Sequence, residues 1–139
     1  MMVNDDHYVP GTCNIGPAEI ERRRRAGWIG ASVTAVAWLG LLILQVHPLW
    51  YLLLTFPAAA AATGFLQAYL HFCAHFGLQG LFNFDSRIGQ TEQVSRIDFQ
   101  RADRRKAWQI IWTAMAIGFG VSLVALVIRS YPKNTGEAK

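Results

Sequence analysis

Charge is scarce in this 139-residue chain: 16% of its residues are Asp, Glu, Lys or Arg and 53% are hydrophobic, where an average soluble domain carries about 25% charged residues. The few charges are also segregated. None falls between Gly27 and Val46, between Pro48 and Phe72, or between Ala107 and Ile128. A hydrocarbon core of about 30 Å calls for a helix of roughly 20 apolar residues, so each run reads as a membrane span. A soluble globule is excluded. Helices that are apolar all round must be covered by something, and the polar remainder of the chain is too short to wrap three of them.

Other absences narrow the function. Proton relays, ion pathways and voltage sensors rely on ionisable groups within the membrane, and the three runs contain no Asp, Glu, Lys or Arg. A small transporter, even one working as an oligomer, therefore ranks last among the readings. There is no CxxC, no phosphate-cradling glycine loop and no serine, histidine and aspartate set in a nucleophile context. Asp5 and Asp6 are paired carboxylates in a solvated tail. The net charge of +4 calls for no nucleic acid, because basic residues beside spans act as topology signals and as contacts for anionic lipid.

The fold expected is thus an all-α integral membrane protein with three transmembrane helices, N-terminus cytoplasmic and C-terminus outside. Its parts are a tail and short helix over 1–26, a hairpin of spans at about 27–46 and 49–72, a loop over 73–106, a third span over 107–128 and an external tail over 129–139. Orientation follows from the positive-inside rule. Arg22, Arg23, Arg24 and Arg25 precede the first span, and Arg87, Arg96, Arg101, Arg104, Arg105 and Lys106 lie between the second and third, while Arg129, Lys133 and Lys139 follow the third. This bias suits the plasma membrane of a bacterium. The "AVA" at 35–37 resembles a signal cleavage site, but the apolar run continues well past it, and the N-terminus is expected to be kept.

Pro17 suits the first turn of a helix that leads into span one directly or after a bend at Gly27. His47-Pro48 allows almost no external loop. Pro57 predicts a kink in the second span. A continuous helix over 48–76 would measure about 43 Å, carrying its end into the headgroups, with Gly77 as the left-handed residue that stops it. Small residues recur at intervals of four in each span: Gly27, Ala31 and Ala35; Ala60, Gly64 and Ala68; Ala114, Gly118 and Ser122. Such rows let helix backbones approach closely, which predicts a packed bundle.

The stretch "HFCAHFG" at 71–77 carries the remaining chemistry. His71 and His75 would share one helix face and Cys73 the other, so one metal takes all three only if the helix unwinds before Gly77. Either the histidine pair with an outside ligand, or Cys73 with Cys13 folded back over the surface, would suit zinc or copper(I), with His7 as a further donor. Reversible pairing of the two cysteines is a related reading. The plainer one makes Cys73 a small buried residue and the histidines interfacial. The function expected is a non-enzymatic accessory or assembly component, lying in the lipid bilayer as a homo-oligomer or within a larger membrane complex. The alternative is a soft-metal or thiol-redox protein using Cys13, Cys73 and the histidines.

Overall fold

Pro17 opens the first helix, α1, at a position where its missing N–H leaves no bond unmade, and Glu19 sits in the positive first turn. The computed structural model describes residues 8–84 and 91–131. His7, Asp5, Asp6, Arg87, Lys133, Lys139 and most of the C-terminal tail fall outside them. Helix α1 runs as one element over Pro17–Leu44, through Gly27, and stops at Gln45 in the left-handed region. A tight reversal through His47 leads into a short 3-10 helix, Pro48–Leu54, and then α2, Thr55–Leu70. Pro57 lies in the first turn of α2, just after the change from 3-10 to α geometry. Helix α4, Ile97–Ser130, is longer than the expected span because its polar first turns stack directly beneath the apolar segment.

These three helical segments are each long and apolar enough to cross a membrane. The second is the middle one, packed against α1 on one side and α4 on the other, while α1 and α4 scarcely touch. Glycine permits both seams. A Cβ on Gly64 would lie 2.5 Å from the Gly27 nitrogen, and one on Gly30 would lie 2.8 Å from the Ala61 nitrogen. On the other side a Cβ on Gly118 would meet the Thr55 carbonyl at 2.6 Å. One turn further on, the Ser122 and Thr55 hydroxyls bond at 2.7 Å.

The second span ends earlier than a continuous helix over 48–76 requires. His71, at φ 55°, closes α2, and a separate short helix, α3 (Ala74–Gln79), begins after Cys73. Gly80, at φ 69°, and not Gly77, is the left-handed residue that stops it. Gly77 serves packing: a Cβ there would come within 2.7 Å of the Phe72 ring. Two strands of two residues each, β1 (Leu81–Phe82) and β2 (Glu92–Gln93), pair antiparallel with Leu81 opposite Gln93, ahead of α4. Among its described residues, the segment between the second and third spans thus holds α3, β1, β2 and the polar start of α4.

Candidate functional site: a buried polar joint and an apolar groove

The N-terminal segment folds back against the end of α2 and is built into the structure there. Asn14 is fully buried. Its side-chain Nδ2 donates to the Cys73 carbonyl at 3.1 Å, and its Oδ1 accepts from the Cys73 N–H at 2.7 Å. Its backbone N–H donates to the His71 carbonyl at 3.2 Å, and its carbonyl accepts from Asn83 at 2.9 Å. One asparagine thus satisfies the backbone that the end of α2 leaves open, a need that a buried peptide group cannot forgo. That is why the chain can break helix at His71. Gly16 continues the pairing by donating to the Asn83 carbonyl at 2.7 Å.

Two carboxylates are fully buried here. Glu19 accepts from the Asn83 side chain at 3.4 Å and lies 3.8 Å from the Arg23 guanidinium and 3.9 Å from that of Arg22. Asp103, below the apolar part of α4, accepts from the Tyr8 hydroxyl at 2.5 Å and from the Gly11 N–H at 2.6 Å. Gly11 has a left-handed backbone (φ +67°) and lies close against Ala102. Burial pushes the Tyr8 hydroxyl far above the usual tyrosine range, and its bond to Asp103 adds to this. Burial also raises Asp103, against the two hydrogen bonds that favour its charge. Glu19, Asn14, Asn83 and Asp103 are the residues that sequence reading missed. A carboxylate in a polar flank looks solvated until the tail is known to fold over it.

Of the four arginines expected as topology signals, Arg23 has a different place. Its Nη2 donates to the Cys73 Sγ at 3.0 Å, and its guanidinium lies 6.0 Å from the centre of the Phe76 ring. Arg24 and Arg25 pair outward with Glu21 at 3.5 and 3.2 Å. Arg104 and Arg105 are exposed, and Lys106 is half-buried.

The helix does unwind before Gly77, and the tail does come back over it. Cys73 is fully buried, whereas His71 and His75 are exposed. Among the described residues no three His, Cys, Asp or Glu side chains lie close enough to share an ion. Both thiols are free. Burial raises each above the ordinary thiol value, and for Cys73 this outweighs the neighbouring Arg23. A buried thiol held in its neutral form is a poor nucleophile.

No protein-family model, curated protein or solved structure matches the chain. The remaining open feature lies among the three apolar helices. Because α1 and α4 stand apart, one face of α2 forms the floor of an apolar groove of about 420 Å³. Ala58, Ala61 and Ala62 make the floor, Ala31, Thr34, Ala35 and Trp38 one wall, and Ile117, Val121 and Val124 the other. The small-residue rows divide accordingly. Gly27, Gly64, Ala68, Ala114, Gly118 and Ser122 are buried between helices. Ala31 and Ala35 turn into the groove and Ala60 is exposed. Each step of four advances about 40° round a helix, since a turn takes 3.6 residues. A row of three therefore drifts off a seam, and Gly30 takes the place beside Gly27.

Beneath the groove, Trp38 packs against the buried Tyr51 and Leu54. The Trp38 indole Nε1 and the Tyr51 hydroxyl are both covered by the protein itself and have no hydrogen-bond partner among the described residues.

Proposed function

We propose that the protein is a non-enzymatic accessory or assembly component of a larger membrane complex, and that the groove between α1 and α4 receives a transmembrane helix of a partner subunit. The N-terminus lies in the cytoplasm and the C-terminus outside, in the plasma membrane of a bacterium. The orientation rests on the basic residues gathered at the end where the N-terminal segment, α3 and the start of α4 meet.

The observation that carries the reading is the apolar groove itself, open between α1 and α4 and floored by Ala58, Ala61 and Ala62. Trp38, in its wall, stands thirteen residues beyond Arg25, about 20 Å further along the helix axis, well inside a hydrocarbon core of about 30 Å. Membrane helices associate by close packing over small residues. The alanine floor lets a partner's backbone come close. The polar joint fits the same reading from the other side: its Asn14, Asp103 and Cys73 groups are all engaged internally.

A photoreactive amino acid at Ala35 or Val121, both in the groove, should give a protein adduct of one defined mass in native membranes. The same probe at Val36, on the outer side of α1 and 70% exposed, should give lipid adducts. Ala58→Leu, which fills the floor of the groove, should weaken the protein adduct at both groove positions. Lipid adducts alone from all three positions would overturn the proposal.

A further inference from the structure

A second cavity, of about 330 Å³, opens between α2 and α4 nearer the charged end, lined by Leu66, Leu70, Lys106, Gln109, Ile110 and Thr113. Lys106 and Gln109 are three residues apart and share a face of α4, as do Ile110 and Thr113 in the next turn. A cation and an amide thus stand at one end of the cavity, over an apolar wall from both helices. Lys106 has no ion-pair partner among the described residues. Asp103, one turn below, is occupied by Tyr8 and Gly11. Trp108 and Trp112, both exposed on α4, mark this level as the membrane interface, where indole rings collect.

We propose that this cavity binds an anionic phospholipid of the same leaflet. Its phosphate bonds to the Lys106 ammonium and the Gln109 amide, and its first methylenes lie on Leu66, Leu70 and Ile110. Charge complementarity selects the anionic lipid over a zwitterionic one, and the apolar wall selects a lipid over free phosphate. Basic pockets between spans on the cytoplasmic side recognise lipid headgroups in this way. The inference is independent of what fills the groove.

The test uses the full chain in detergent, titrated with phosphatidylglycerol or phosphatidylcholine and read by native mass spectrometry, with thermal unfolding in nanodiscs of each lipid alongside. One phosphatidylglycerol should remain bound, and unfolding should occur at higher temperature in that lipid. Lys106→Gln should weaken the adduct about fivefold, the effect of removing one basic residue near a lipid surface. Arg105→Gln, the same loss of charge at an exposed neighbour, should change it little. Equal losses for the two variants would mean diffuse attraction to the surface and would overturn the proposal. So would binding of inorganic phosphate alone at comparable concentration, or no preference between the lipids.

Discussion

Gly64→Ala tests the α1–α2 seam with a single methyl group. The added Cβ would lie 2.5 Å from the Gly27 nitrogen, 2.8 Å from its Cα and 2.9 Å from the Arg23 carbonyl oxygen. All three are backbone atoms, so no rotamer change relieves the contact. Ordinary van der Waals contact begins near 3.4 Å, which requires α1 to move away by roughly 0.9 Å at this point. A gap of that size forfeits about a quarter to a half of each contact's dispersion energy, and overpacking of this kind costs about 1–3 kcal/mol. The higher helix propensity of alanine returns about 1 kcal/mol, leaving a net loss of about 0–2 kcal/mol, and about 1–3 kcal/mol relative to an uncrowded glycine-to-alanine change that gains the same propensity. Gly40→Ala and Gly120→Ala are the controls, since nothing among the described residues lies within 4 Å of a Cβ at either position. Unfolding in mixed micelles, followed by far-ultraviolet circular dichroism, should rank Gly64→Ala well below the other two. Equal stability of all three variants would refute the close approach of α1 and α2.

Asn14→Ala orphans the buried N–H and carbonyl of Cys73 together and should cost about 2–4 kcal/mol, seen as faster hydrogen exchange at residues 71–74 and easier proteolysis of the N-terminal segment. The Tyr8–Asp103 latch should loosen in alkali. Tyr8 holds its proton more tightly folded than unfolded, so its contribution is complete below the ordinary tyrosine value of about 10 and is lost as pH rises beyond it. Tyr8→Phe should remove that alkaline release of the tail, and a release unchanged in the variant would refute the assignment. An impermeant thiol reagent should label Cys13, which is partly exposed, while leaving Cys73 untouched until denaturant is added; fast labelling of Cys73 would contradict its burial. In a cysteine-free background, Thr91→Cys and Ser130→Cys should label from opposite sides of the membrane, and labelling of both in intact cells would reverse the orientation argument.

The three apolar helices were legible in the chain because hydrophobic length is a property of composition: a charge-free run of about 20 residues has few other uses. The same holds for the reversal at His47-Pro48 and for the start of α1 at Pro17. Tertiary structure decided the rest, and for one recurring reason. Each feature depends on a partner far away in the sequence. His71 ends α2 because Asn14 bonds to the peptide groups beyond it, and no local signal in "HFCAHFG" announces that. Asp103 and Glu19 look like solvated charges until Tyr8, Gly11 and Asn83 close over them. Arg23 cannot be told from Arg22, Arg24 and Arg25 by sequence, yet the helical turn alone directs it inward to Cys73. Glycine at 27, 30, 64 and 118 permits close approach, but only the packing of α2 between two helices that scarcely touch determines which glycines are used. That same arrangement leaves the groove beside Trp38, because a helix between two neighbours on opposite sides keeps a bare face between them.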